Sequence, residues 1–275
     1  MQETRKVLTI AGSDSGGGAG IQADIKTITL LGAYACSVVT AVTAQNTLGV
    51  QDIHPVPAGF VAMQLESVLS DIKPHAIKTG MLCNAEIVKA VAERLRNYVA
   101  GRQVALIVDP VMYSKTGSAL LEEKAHGVII KEMLPLATLL TPNIAEASEL
   151  SGIEVDSVGT MHEAAEKIHE LGCRNVLIKG GHLAIDAIDV LFDGQQFSEF
   201  YAPRIQTKHT HGTGCTFSAA IASFMALGDD LPTAITAAKE FISAAIETAV
   251  PIGGGIGPVN PYGALLSADE EVGST

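Results

Sequence analysis

Short apolar runs recur along the chain, each bounded by Gly, Pro or Asn: Val7 to Ile10, Val104 to Val108, Ala137 to Leu140 and Asn175 to Ile178. Their length and bounding residues predict buried strands. Between them the apolar positions change period. In Phe60 to Ile72, the residues Val61, Leu65, Val68, Leu69 and Ile72 fall on one face of a helix, and Ile87, Val88, Val91 and Leu95 repeat the pattern. Strand followed by helix, repeated, predicts an α/β protein with a mainly parallel sheet. After Lys179 two runs, Ile185 to Phe192 and Gln196 to Tyr201, are joined by Asp193-Gly194, which predicts an antiparallel hairpin at an edge. Two Ala-rich helices are expected from Gly214 to Leu227 and from Pro232 to Ala249, then a Gly-rich loop, Gly253 to Pro258, and a frayed end over the last ten residues. No repeat, linker or charge block divides the chain, so one domain over 1–275 is expected.

Composition sharpens this picture. Hydrophobic residues are 47% of the 275 and Trp is absent, which suits buried strands covered by helices. Lys and Arg number 18 against 30 Asp and Glu, a formal charge of -12, and no segment gathers the basic residues that a nucleic acid would need. The polar start, Met1 to Lys6, runs into an apolar stretch too short for a signal peptide, and no run is long enough to span a membrane, so a cytosolic protein is expected. Cys36, Cys83, Cys173 and Cys215 have no Cys-x-x-Cys spacing and are expected to be reduced thiols, the first three as small buried hydrophobes. The eight His show no ligand spacing, so no zinc site is expected; His211 is expected to shape its turn.

Four segments carry candidate chemistry. Gly12 to Gly20 follows the first strand and opens the helical stretch Ile21 to Leu31. Its glycines would let backbone approach a polar or anionic ligand, unless they only make a tight turn. Gly16, Gly18 and Gly20 merely approximate a dinucleotide fingerprint, and no Gly-Lys-Ser/Thr completes a Walker loop. Thr210-His211-Gly212-Thr213-Gly214-Cys215 opens an Ala-rich helix, whose first N–H groups could form an anion hole. A helix start also lowers a thiol pKa, which makes Cys215 a candidate general base, unless it is simply a buried Cys after a turn. Asn143 and Glu146 sit three apart after a strand, either as oxygen ligands for a water-rich Mg²⁺ site or as an N-cap with its capping-box partner. Asp109, Asn143 and Lys179 all close strands, so they are expected on one cleft, with Lys179 free to neutralise phosphate. Tyr113 to Ser118 is a candidate flap over that cleft.

Taken together, Leu8 to Asp14, Gly16 to Asp24, Ala44-Gln45-Asn46, Lys78 to Leu82, Asp109 to Met112, Asn143-x-x-Glu146, Lys179 to His182 and His211 to Cys215 resemble the bacterial hydroxymethylpyrimidine/phosphomethylpyrimidine kinases of thiamine biosynthesis. The resemblance spans essentially the whole chain, in order. It implies a ribokinase-like three-layer αβα fold and ATP-dependent phosphorylation of 4-amino-5-hydroxymethyl-2-methylpyrimidine, first to its monophosphate and then to the diphosphate. By the same resemblance, Gly12, Ala19, Asp24, Gln45 and Met81 would hold the pyrimidine, with the Gln45 amide reading its amino group and ring nitrogen. Gly212, Thr213 and Gly214 would form the anion hole and Cys215 would face the hydroxymethyl group. Lys179 and Asn143 would contact ATP, and Asp109, Asn143 and Glu146 would hold Mg²⁺ through water. Similar enzymes that favour pyridoxal-type substrates tend to lack this Gln, and sugar kinases of the superfamily end the turn in Asp rather than Cys. The resemblance also implies a homodimer. Two alternatives stand beside it: a pyridoxal kinase, and a non-catalytic nucleotide-binding protein.

Overall fold

The computed structural model describes residues 3–181 and 187–272. His182, the first residues of the expected hairpin (Ile185 and Asp186), Met1 and residues 273–275 lie outside the described residues. In chain order the elements are β1 (Lys6–Asp14), α1 (Gly20–Leu30), β2 (Tyr34–Asn46), β3 (Gly49–Pro55), α2 (Ala58–Asp71), β4 (Ala76–Thr79), α3 (Ala85–Val99) and β5 (Ala105–Val108). They continue with α4 (Glu123–Glu132), β6 (Leu139–Leu140), α5 (Ile144–Ser151), α6 (Val158–His169), β7 (Val176–Ile178), β8 (Ala187–Phe192), β9 (Phe197–Ala202), α7 (Thr213–Leu227), α8 (Leu231–Glu247) and α9 (Pro261–Val272). Of the last ten residues, expected to fray, those up to Val272 belong instead to α9, and 273–275 lie outside the described residues.

Among the described residues nine strands join one sheet in the order β3-β2-β1-β4-β5-β6-β7-β8-β9. The six from β2 to β7 are parallel, while β3 at one edge and the β8–β9 hairpin at the other are antiparallel. The hairpin lies where Asp193-Gly194 predicted it. The β2–β3 edge carries no such dipeptide and went unpredicted.

Central strands are apolar on both faces because helices cover both. Leu8, Ile10, Ile77, Leu106, Val108, Leu140 and Val176 pack on one side with α2 to α6. Val7, Ala76, Ile107, Leu139 and Leu177 alternate to the other side, against α1, α7, α8 and α9. Each fully buried Leu or Ile contributes roughly 1.5–3 kcal/mol. Three layers result, αβα.

One polar cluster interrupts the second face. Thr9 and Lys78 are register partners on β1 and β4, and both meet Asp24 of α1. Lys78 Nζ donates to both carboxylate oxygens, at 2.9 and 2.8 Å, and Thr9 Oγ1 donates to Oδ2 at 2.5 Å. Burial pushes the Lys78 ammonium down, but the Asp24 carboxylate outweighs it, and the amine is held above its ordinary range.

Beyond β1, the chain runs out to β2 and β3 and returns through α2 to β4 on the opposite side of β1. The strand order reverses there, and at such a point the loops leaving the carboxyl ends part to open a crevice.

Candidate active site

Two cavities open at the carboxyl ends of the strands. The first spans about 780 Å³ with its share of open solvent, and is lined by the end of β1 and the start of α1, by Thr43 and Gln45 of β2, by Met81, by Tyr113 to Lys115, and by the start of α7. The second, about 1330 Å³, lies between β8–β9, the segment from Pro203 to Thr213, and α7–α8. They meet at Lys115, Asn143, Lys179 and Gly214, which line both.

Asp109, Asn143 and Lys179 share the first cavity, as their places at strand ends predicted. Asp109 is 3% exposed, and its Oδ1 accepts from Lys179 Nζ at 2.7 Å and from Thr141 Oγ1 at 3.3 Å, while Ser218 Oγ reaches Oδ2 at 3.4 Å. Burial pushes the Lys179 ammonium down, but Asp109 and Glu146 outweigh it and hold the amine above its ordinary value.

Asn143 and Glu146 form the capping box of α5: Glu146 N–H donates to Asn143 Oδ1 at 3.0 Å and Asn143 N–H donates to Glu146 Oε2 at 2.8 Å. The amide oxygen of Asn143 is thus committed to the helix start. Glu146 still lines the cleft, and burial, with Asp109 adding to it, pushes its carboxyl up to about 7 although Lys179 opposes the shift.

The turn before α7 is built on Gly212, whose φ of +79° and whose contact with Gly18 leave no room for a side chain: a Cβ would stand 1.8 Å from Gly18 O. No side chain caps α7; the Thr213 N–H donates to Thr210 O at 3.3 Å, which leaves the N–H groups of Gly214 and Cys215 for a ligand. Gly212, Gly214 and Cys215 line the first cavity, whereas Thr213 lines the second.

Cys215 departs from expectation. A lowered thiol pKa was expected at this helix start; instead burial pushes it up to about 11, with Asp24 and Asp109 adding to burial and Lys78 opposing. Desolvation of the thiolate outweighs the cation beside it. The resting group is a neutral thiol.

Gly12, Ala19, Gln45 and Met81 line the first cavity, on the side away from the second. Asp24 does not: it is fully buried beneath the loop, engaged by Lys78 and Thr9. The structure therefore corrects its expected contact with a substrate, because a carboxylate already satisfied by an ammonium has no open face here.

Pattern reading missed several residues. Asp14 closes the first loop on itself, accepting N–H from Gly16, Gly18 and Ala19 at 2.8 to 3.0 Å and from His211 Nε2 at 2.9 Å. Burial pushes the Asp14 carboxyl up, but the His211 hydrogen bond and the Gly16 and Ala19 N–H groups leave it below its ordinary value. In the second cavity, Lys239 Nζ donates to Asp189 Oδ2 at 2.7 Å and Gly180 N–H donates to Oδ1 at 2.9 Å. The signal for this pair was available: Asp189 interrupts an apolar strand and Lys239 an Ala-rich helix, and buried charges come paired.

Residues 14–260 match the phosphomethylpyrimidine kinase family. The chain belongs to that family, and it is a kinase. It is 50% identical over 259 residues to the hydroxymethylpyrimidine/phosphomethylpyrimidine kinase of Streptomyces coelicolor, covering 94% of this chain and 95% of that one. It is 56% identical over 265 residues to the thiamine biosynthesis bifunctional protein ThiED of Geobacter sulfurreducens, covering 96% of this chain but 53% of that protein, so the chain spans about half the length of this bifunctional relative. An ADP complex of Bacillus subtilis pyridoxal kinase superposes with a TM-score of 0.87 at 38% identity, covering 96% of this chain and 100% of that one. The three-layer ribokinase-like architecture expected from the resemblance is the fold of this kinase.

Proposed function

We propose that this kinase transfers the γ-phosphoryl group of Mg-ATP to the hydroxymethyl oxygen of 4-amino-5-hydroxymethyl-2-methylpyrimidine, and then phosphorylates the monophosphate to the diphosphate. One observation carries the reading: a larger cavity and a smaller acceptor cavity meet at Lys179 and Gly214, and Gln45 lines the acceptor cavity but not the larger one.

On this reading the nucleotide takes the second cavity and presents its terminal phosphate to Lys179 and the start of α7. Phosphoryl transfer passes through a loose transition state, so positioning and charge stabilisation supply most of the rate. Lys179 neutralises the transferring group, and the N–H groups of the first turn of α7 receive its oxygens. Cys215 stands beside the attacking hydroxyl. Its thiol is neutral at rest, so any role as proton acceptor requires ionisation in the filled site, where Lys78 is the protein cation favouring it.

Asp109 and Glu146 fit a Mg²⁺ ion held through water: two buried carboxylates line the cleft beside one ammonium, and burial, with Asp109 adding to it, makes a second ionised carboxylate costly there until a cation joins it. When bound, the ion would offset phosphate charge. Asn143 acts on this site by holding Glu146 in the capping box.

The reading extends to a cytosolic homodimer folded as one kinase domain. A single sheet through the described residues supports the last of these; among the described residues no helix is long and apolar enough to cross a membrane. Val42, Leu48, Phe60 and Met63, on β2, its turn and α2, are exposed apolar residues that would suit contact with a second copy.

A pyridoxal kinase would keep the nucleotide cavity and differ around Gln45. The higher identity to the pyrimidine kinase, 50% against 38%, and the presence of Gln45 favour the pyrimidine. ADP release with Mg-ATP and matched subsaturating hydroxymethylpyrimidine or pyridoxal tests this. A clear preference for the pyrimidine is expected; preference for pyridoxal would overturn the substrate assignment.

A further inference from the structure

Asp14, His211, Gln45 and Thr43 form a chain of contacts along the acceptor cavity, and counting hydrogens along it fixes more than the distances do. Both Asp14 oxygens are taken by N–H donors, Gly16 on Oδ1 and Gly18 and Ala19 on Oδ2. The group is a carboxylate and can only accept. His211 Nε2, 2.9 Å from Oδ2, must therefore carry its hydrogen.

Gln45 Nε2 lies 3.4 Å from that same ring nitrogen, which sets two donors face to face. At the other end of the amide, Oε1 is 3.2 Å from Thr43 Oγ1, yet the single hydroxyl hydrogen of Thr43 also has Ser13 O at 3.0 Å. A half-turn of the amide resolves both conflicts without moving a heavy atom. Oε1 then takes the longer, 3.4 Å share of the one His211 Nε2–H that Asp14 Oδ2 holds at 2.9 Å, Nε2 donates to Thr43 Oγ1, and Thr43 donates to Ser13 O. Each donor meets an acceptor.

We propose that His211, held by Asp14, and Thr43 are positioning residues that lock the Gln45 amide in this orientation, and so determine which ring the acceptor cavity takes. The inference rests on the substrate reading above. The locked amide leaves a lone pair at the His211 end and an N–H at the Thr43 end, the complement of an amino group beside an unprotonated ring nitrogen. A ring with an oxo group beside a protonated nitrogen presents the reverse pattern. A freely turning amide would accept either ring; a locked one sets acceptor against acceptor and donor against donor for the oxo ring.

The test compares kcat/KM for hydroxymethylpyrimidine and for its 4-oxo analogue in the full-length enzyme, with the ¹⁵N spectrum of His211 in the ligand-free protein read alongside. The wild type is expected to favour the amino ring by about a hundredfold or more. His211→Ala and Thr43→Val should each cut that ratio by about tenfold, more through KM than kcat, while His211→Gln, which can keep an Nε2–H at the same reach, should retain most of it. The spectrum should show hydrogen on Nε2. If His211→Ala does not fold, Thr43→Val on the opposite end of the amide carries the test. Ratios unmoved in Thr43→Val, or a bare Nε2, overturn the inference alone; a wild-type preference for pyridoxal overturns the substrate reading and the inference with it.

Discussion

Lys179 Nζ lies 2.7 Å from Asp109 Oδ1, at the seam where the two cavities join. The pair puts one cation where a transferring phosphoryl group would pass and ties it to a carboxylate that is 3% exposed. Removing one partner of a buried pair leaves the other uncompensated, at about 3–5 kcal/mol.

Lys179→Met is therefore expected to lower both turnover, by about a thousandfold, and stability, by about 3 kcal/mol. Adding Asp109→Asn should recover most of the stability and none of the activity. Denaturant midpoints and ADP release on the two single variants and the double variant check this. Full recovery of turnover in the double variant would show that Lys179 only balances Asp109.

Gly212 and Gly214 should separate folding from catalysis. At Gly212 the positive φ and the carbonyl of Gly18 exclude any side chain, so Gly212→Ala should destabilise the protein by several kcal/mol, the range of a severe clash at a strained backbone position. At Gly214 a Cβ would stand 3.4 Å from Lys179 Nζ and 3.7 Å from Asp109 Oδ2, close contacts but possible ones. Gly214→Ala should fold with its midpoint within about 1 kcal/mol of wild type and lose phosphoryl transfer, because the added methyl occupies space beside the phosphate. Thermal melts and ADP release read the two effects, and an active Gly214→Ala would remove the anion hole from this turn.

The layers were legible because the signals that make them are local. Apolar runs at β1, β5, β6 and β7 and the Asp193-Gly194 turn are set by neighbouring residues, and the sheet obeyed them. Gathering Asp109, Asn143 and Lys179 needed only the rule that parallel strands share a carboxyl edge. What pattern could not show was pairing at long sequence separation. Asp24 reads as a free carboxylate until Lys78, 54 residues away, is seen beneath it, and Asp189 waits on Lys239, 50 residues on. Cys215 failed for a related reason: the helix start is visible in sequence, but the desolvation that outweighs it is not.

Cys215 with its thiol pushed up to about 11 should resist alkylation. Iodoacetamide is expected to modify it more slowly at pH 7.5 than it modifies a free cysteine, with the rate rising about tenfold per pH unit until the thiol ionises. Mass spectrometry of the modified peptide distinguishes it from Cys36, Cys83 and Cys173, which are buried. Cys215→Ala should lower turnover by about a hundredfold if the residue takes the substrate proton in the filled site. Turnover within a few-fold of wild type would leave Cys215 a packing residue and rule out a base at this position.

Glu146 gives the stability of the ligand-free protein a pH dependence of definite sign. Its carboxyl rises from an ordinary 4.5 to about 7 on folding, chiefly through burial, so between those values the folded state holds a proton that the unfolded state has released. Stability from this group is complete below 4.5 and falls as pH rises through 7, by up to about 3 kcal/mol at 1.36 kcal/mol per unit. Glu146→Gln keeps a capping-box partner for Asn143 and carries no charge. Relative to wild type, the variant should thus gain stability between pH 5 and pH 8, measured as the difference in denaturant midpoints without nucleotide. Mg-ATP should reverse the order at pH 8, since the wild-type carboxylate then meets the cation for which its charge is kept. A variant whose advantage does not grow with pH would mean that Glu146 is already ionised against Lys179, and that the site holds no charge waiting for a metal.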